Sequence, residues 1–305
     1  MTQSQALPKT EVADERYVGL DTWAPEQILS ALLDGQRRAI ASVEAAVPAL
    51  ARAADLAAQS LGGGGRLIYI AAGSPALIAL GDMLELPQTY GILRDRLVCM
   101  MAGGHAITHN LTGTDEDRAD LAEGEIAAAK VGAGDCVVAI SASGTTPYTV
   151  GGLAAARRAG AATVGIAGNA GAPLFAEADV AVLLDAGPEV ISGSTRMGAG
   201  TAQKAALNLF STLVGVALGH VHDNLMVNVN ADNEKLRQRA ARMVSRITGA
   251  APDAAGEALE ACGGAVKPAI LVAAGAGTPQ AAAALLTTHA GKLRPALASL
   301  TQTTG

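Results

Sequence analysis

The segment Cys136-Val-Val-Ala-Ile140 is a short, unbroken apolar run, and Ser141-Ala-Ser-Gly-Thr-Thr-Pro147 follows it directly. A helix-like stretch from Val150 to Arg158 comes next. A strand that ends in small hydroxyl and glycine residues and then opens a helix is a standard way to hold a phosphate. The helix N-terminus carries unpaired N–H groups and about half a positive charge. Gly144 lets the backbone approach a ligand closely, and Ser141, Ser143, Thr145 and Thr146 carry hydroxyl donors. The segment has no lysine and does not fit G-x-x-x-x-G-K-S/T, so it is not a nucleoside triphosphate loop. It suits a smaller phosphorylated ligand. The competing reading is a Ser/Thr-rich turn that only caps a helix.

The same pattern occurs earlier. Arg66-Leu-Ile-Tyr-Ile-Ala71 runs into the loop Ala71–Pro75, which holds Ser74, and then into a helix from Ala76 to Leu86. Further strands are expected near 96–101, 163–167 and 180–184, and helices over 25–60, 121–130 and 150–158. Short apolar strands alternating with helices imply a parallel sheet covered on both faces. The fold class is therefore α/β, a three-layer parallel sheet flanked by helices. Ligands of such sheets bind at the carboxyl ends of the strands, where both loops fall.

Composition narrows the function. Half of the 305 residues are hydrophobic, so core material is ample, but only 2% are aromatic, which disfavours nucleic-acid binding by base stacking. The net charge of -6 and the lack of a basic block speak against nucleic acid and anionic membranes as partners. Cys99, Cys136 and Cys262 are scattered, which suggests a reducing compartment and no metal set. The polar N-terminus and the lack of a long apolar run point to a cytoplasmic protein.

Residues 1–24 read as a surface arm and 25–250 as the main domain. From Gly187 to Arg196 the chain reads as a loop, followed by a helix from about Gly200 to Leu218 and another after Asn233. Residues 252–305 are expected to form a three-helix module. It carries a short repeat, Gly264-Ala-Val-Lys-Pro-Ala-Ile270 and Gly291-Lys-Leu-Arg-Pro-Ala-Leu297.

Two acidic positions could carry proton transfer. Glu85 lies among Met83, Leu84, Leu86 and Pro87, and a carboxyl in apolar surroundings suits a general acid near neutral pH; the plainer reading is a solvated helix-end acid. Asp115-Glu116-Asp117 could present a base, or could simply supply first-turn acids to the helix around 121–130. The five histidines, including His105, His109, His220 and His222, make no metal-ligand pattern. No G-x-S-x-G or Ser-His-Asp signature is present.

These residues together resemble the N-acetylmuramic acid 6-phosphate etherase family, within the sugar isomerase (SIS) phosphosugar-binding fold, which is flavodoxin-like and related to glucokinase regulatory protein. The resemblance rests on Gly187-Pro-Glu-Val-Ile-Ser-Gly-Ser-Thr-Arg-Met-Gly-Ala-Gly-Thr-Ala-Gln-Lys204. It continues through Asn208, Ser211-Thr212, Asn224-Leu-Met-Val227 and Asn233-Glu-Lys-Leu-Arg237, and includes Thr10-Glu11 and the Ala142–Tyr148 loop. It implies cleavage of a D-lactyl ether by elimination and hydration, with no cofactor and no metal, in a homodimer whose site lies near the interface. It also implies a small helical, UBA-like C-terminal domain. Glu85 takes the place of the family's general acid and Asp115 that of its second catalytic glutamate. Ser74, Ser141, Ser143, Gly144, Thr145, Thr146, Ser194 and Thr195 match its substrate and phosphate contacts. The departures cluster at the ligand edge. Leu77 and Thr145 stand where the family has arginine, Gly198 where it has lysine, and Thr112 where it has a glutamate. Each lost charge-assisted contact is worth roughly 1.5–3 kcal/mol. The same fold also serves phosphosugar isomerases and non-catalytic phosphosugar regulators, and these remain the alternatives.

Overall fold

A computed structural model describes residues 8–111, 113–229 and 234–303. Thr112 and Asn233, both singled out above, lie outside the described residues. The chain divides into two compact units, Met1–Met83 with Asp95–Ser211, and Leu84–Arg94 with Thr212–Gly305.

In the first unit α1 (Pro25–Gly62) opens with proline in its first turn, where a missing N–H costs nothing. The sheet then alternates with helices: β1 (Leu67–Ala71), α2 (Gly73–Tyr90, which runs on into the second unit), β2 (Leu97–Met101), α3 (Ala119–Ala128), β3 (Cys136–Ile140), α4 (Pro147–Arg158), β4 (Ala162–Ala167), α5 (Pro173–Ala176), β5 (Val180–Leu183) and α6 (Gly198–Ala217). The five strands are all parallel in the order β2-β1-β3-β4-β5. This doubly wound order places the topological switch between β1 and β3.

Strand alternation divides the core. Ile68, Ile70, Val137 and Ala139 pack against Ala122 and Ile126 of α3 and Tyr148, Leu153 and Ala156 of α4. The other face meets α2 and α6. There the buried Asp82 carboxylate accepts from the Tyr69 hydroxyl and the Ser211 hydroxyl, each at 2.9 Å. At the amino ends of the strands Arg66 makes a forked pair with Asp135, with Nη2 to Oδ2 at 2.6 Å.

Several expectations are corrected here. The first loop is shorter than Ala71–Pro75, because α2 begins at Gly73 and takes Ser74 and Pro75 into its first turn. Asp115, Glu116 and Asp117 lie in a turn ahead of α3, whose first-turn acid is Asp120. Within the arm, residues 9–22 form three short 3₁₀ turns.

The second unit adds the hairpin β6 (Val221–His222) and β7 (Leu225–Met226), then α7 (Glu234–Thr248), α8 (Pro252–Ala261), α9 (Val266–Leu271), α10 (Pro279–Thr288) and α11 (Leu293–Thr303). Among the described residues, 252–303 hold four α-helices rather than three. The boundary expected near 250 falls inside this unit, because Met243 and Val244 of α7 share one core with Leu259, Ile270 and Leu293. Gly264 and Gly291 of the repeat both sit at positive φ, 86° and 74°, so each copy stops one helix and lets the next begin. Among the described residues no single helix is long and apolar enough to cross a membrane.

Candidate functional site

The loop after β3 is held by its own hydroxyls. Ser141 is buried, and its Oγ accepts from the Gly144 N–H at 2.9 Å and pairs with Thr146 Oγ1 at 2.9 Å. Ser143 Oγ accepts from the Thr145 N–H at 3.2 Å and pairs with Thr145 Oγ1 at 2.8 Å. Gly144 has φ of +78°, and a Cβ there would lie 2.4 Å from Ala172 Cβ and 2.8 Å from Ala167 Cβ. Only glycine fits, because both the backbone hand and the space exclude a side chain. Thr146 precedes α4, and Pro147 is its first residue. The N–H groups of the first turn therefore point away from the helix at the carboxyl edge of the sheet.

The neighbouring loop brings a carboxylate. Gly73 has φ of +62°, and a Cβ there would meet Glu116 Oε1 at 2.9 Å. Glu116 thus lies against the start of α2, beside the half-buried Ser74. Its backbone carbonyl accepts from Tyr148 N–H at 2.9 Å, which ties the acidic turn to α4. Burial, and next the adjacent Asp117, raise the Glu116 carboxyl above its ordinary range. Asp115 lies in the same turn, with Oδ2 3.8 Å from where a Cβ on Gly103 would stand.

The third wall joins the N-terminal arm to the loop before α6. Lys9 N–H donates to Asn169 Oδ1 at 2.9 Å, and Asn169 Nδ2 donates to the Ser143 carbonyl at 2.9 Å. Gly193 N–H donates to the Thr10 carbonyl, and Ser192 Oγ to the Glu11 carbonyl, both at 2.9 Å. Ser194 and Thr195 stand just beyond, half-buried. Glu189, buried, accepts from the Gly198 and Ala199 N–H groups at 2.8 Å each and so caps α6.

The fold therefore gathers Ser74, Asp115, Ser141, Ser143, Gly144, Thr145 and Thr146 at the β1/β3 edge of the first unit, and ties Ser194 and Thr195 to that edge through the arm. Glu85 belongs to the second unit. It is exposed, while its neighbour Leu86 is buried, so the expected apolar setting of its carboxyl is corrected. Sequence reasoning missed the tertiary roles of Glu189, Glu11 and Asn169. Glu11 and Asn169 act on segments distant in the chain, and Glu189 caps a helix that starts nine residues on, beyond the reach of the usual capping patterns. Among the described residues no group of His, Cys, Asp and Glu could hold a metal ion.

The SIS domain family matches residues 122–214. Over 276 residues the chain is 46% identical to a protein of Deinococcus radiodurans named N-acetylmuramic acid 6-phosphate etherase, covering 90% of each. It is 40% identical over 288 residues to one of the same name from Serratia proteamaculans, covering 94% of this chain and 97% of that one. The chain belongs to the N-acetylmuramic acid 6-phosphate etherase family. A phosphoheptose isomerase structure from Francisella tularensis is also similar, at 17% identity and TM-score 0.46, covering 63% of this chain and 96% of that one. In this etherase-family chain the space where a Cβ on residue 198 would stand lies 2.9 Å from Glu189 Oε2. Gly198 therefore stands directly against the carboxylate that caps α6.

Proposed function

We propose that this chain cleaves the D-lactyl ether of N-acetylmuramic acid 6-phosphate, giving N-acetylglucosamine 6-phosphate and D-lactate. What carries the reading is 46% identity to a named etherase over nine-tenths of both chains. The reaction is a lyase step followed by hydration. With the sugar ring open, a carboxylate on the 115–116 turn removes the C2 proton, and the C1 aldehyde stabilises the carbanion as an enolate. The C3–O bond to lactate breaks, and Glu85 donates a proton to the departing oxygen. Water then adds across the C2–C3 double bond, its hydroxyl to C3 and a proton to C2. The sugar phosphate rests in the Ser141–Thr146 loop against the first turn of α4, with Ser74, Ser194 and Thr195 as further contacts. No cofactor enters this scheme, and its sugar-phosphate substrate belongs to cytoplasmic cell-wall recycling.

Two carboxylates on one turn compete for the role of base. Asp115 holds the family position, while Glu116 is the carboxylate packed against Gly73 with its proton affinity raised by burial. Both sit within one turn, so the variants must be compared side by side. The assay is release of D-lactate from N-acetylmuramic acid 6-phosphate by the wild-type chain and by Glu85→Gln, Asp115→Asn and Glu116→Gln. Activity in the wild type, lost in Glu85→Gln and in one of the other two, supports the scheme and names the base. No lactate from the wild type would overturn it and leave binding without turnover, or another sugar phosphate, as the function.

The active form in this reading is a homodimer. On α1, Leu29, Leu33, Ile40 and Val47 are exposed at spacings that keep them on one helix face, which suits a second copy of the chain. Light scattering on the purified chain, with Leu33→Glu and Ile40→Glu beside it, tests this.

A further inference from the structure

We infer that the second unit carries an oxyanion site of its own, built around Lys267 and Arg94 and fitted to a phosphoryl group. A cavity of about 470 Å³ lies in this unit, bounded by Gly91–Arg94, Asn228–Val229 and the segment 263–268. Its two charged lining residues, Arg94 and Lys267, are both cations, and none of the residues lining it is an acid. That imbalance matters because the chain as a whole carries a net charge of -6.

Lys267 is the stronger signal. It is only 6% exposed, yet among the described residues no carboxylate lies within ion-pair distance of it. Its Nζ donates one proton to the Gly291 carbonyl at 2.9 Å. Gly291 follows α10, so this bond places a cation at a helix C-terminus, a favourable position. It uses one of three ammonium donors and supplies no counter-charge. A buried cation left so is costly, and solvent anions are the available remedy. His220 adds to the picture: its Nδ1 is buried without a partner, and burial followed by the Lys267 charge pushes its pKa down to about 4. The imidazole is therefore neutral at pH 7 and does not compete for the anion as a second buried charge.

The other side of the cavity is stiff. Asn228 Nδ2 donates to the Tyr90 carbonyl at 2.9 Å. Gly91 has φ of +63°, and a Cβ there would fall 2.4 Å from the Asn228 carbonyl oxygen. Arg94 stands exposed just beyond this clamp, with no ion-pair partner among the described residues. A planar guanidinium fork and a buried ammonium lining one cavity suit a tetrahedral dianion. The ligand class is a phosphoryl group, either inorganic phosphate or a phosphate monoester.

The test is calorimetric titration of inorganic phosphate into the full chain carrying Ser141→Ala, Ser143→Ala, Thr145→Ala and Thr146→Ala, which remove the four hydroxyls of the first-unit loop. One bound phosphate per chain is expected to remain. Adding Arg94→Gln, an exposed position that leaves folding intact, is expected to weaken it about tenfold or more. Lys267→Met is expected to abolish it, and Lys267→Arg to restore part of it. Displacement by glucose 6-phosphate would assign the site to esters, and failure to displace would assign it to the free anion. Absence of bound phosphate in the chain lacking the four loop hydroxyls would overturn the inference, as would affinity unchanged by both Arg94→Gln and Lys267→Met. Neither result touches the etherase reading, which lactate release tests independently.

Discussion

Replacing Gly144 by alanine tests the architecture of the loop after β3 more sharply than removing any hydroxyl. Two costs add. The left-handed backbone, at φ of +78°, costs an L-residue about 1–2 kcal/mol. The new methyl would stand 2.4 Å from Ala172 Cβ and 2.8 Å from Ala167 Cβ, and forcing an extra carbon into packed surroundings costs about 1–3 kcal/mol. Alanine also restricts the unfolded chain, which returns about 0.4–1 kcal/mol. The net expectation is a loss of about 3 kcal/mol in Gly144→Ala. Gly171→Ala is the control. It has φ of +72° but nothing within 4 Å of the added Cβ, so only the backbone cost applies, about 0.5–1 kcal/mol after the same offset. Gly124→Ala, inside α3 with open space around it, is expected to gain about 0.5–1 kcal/mol. Urea unfolding of the three variants at a common slope gives the differences directly. The Gly144 variant alone is also expected to raise KM for the sugar phosphate, because the displaced loop carries its N–H donors with it. Equal losses at 144 and 171 would refute the close approach of the loop to Ala167 and Ala172.

Glu189→Ala should cost about 1–3 kcal/mol in urea unfolding, since it strips both acceptors from the start of α6, and Glu189→Gln should recover roughly half. If Glu116 is the base, the acid limb of kcat/KM for lactate release lies above the ordinary carboxylate range, because burial first and Asp117 next raise its pKa; Glu116→Gln removes that limb, whereas Asp115→Asn leaves it in place. Burial alone would raise Asp135, but the bonds from Arg66 and two backbone N–H groups outweigh it and hold the carboxyl below its usual value. The stability this pair adds is therefore full above about pH 4 and drains away as pH falls through the lowered folded pKa, so Asp135→Asn flattens the acid side of the stability curve. Lys267 gives a slope of the same sign in a different pH window, because burial penalises its charged form. Burial pushes its pKa down to about 8, so above that pH the unfolded chain holds more protons and folding stability climbs toward pH 10.5; the climb should vanish in Lys267→Met.

The layered fold was legible because each strand announces itself. Cys136–Ile140 is apolar at every position, and only a strand covered on both faces hides all five side chains, as all five are hidden here. The loop after β3 was legible for the same local reason: strand, small residues and proline at the first helical position lie within a dozen residues. The extent of α2 was not. Pro75 and Pro87 read as its limits, yet proline in the first turn is tolerated, and the helix carries Pro87 within its last turn up to Tyr90. The boundary near 250 failed because glycine and proline at 249–252 mark only a turn between α7 and α8, two helices that share one core.

The acidic turn shows where sequence reading stops and why. Asp115, Glu116 and Asp117 are consecutive, and no local rule separates a base from its neighbours. What separates them is Gly73, more than forty positions away, whose missing side chain leaves room for one carboxylate at the start of α2. The loop after β3 obeys a related logic. Thr145 spends its hydroxyl on Ser143, and Gly198 lies against the Glu189 carboxylate. An anion taken up at the start of α4 would meet N–H groups that the backbone already fixes, and those groups lose no side-chain entropy when a ligand arrives.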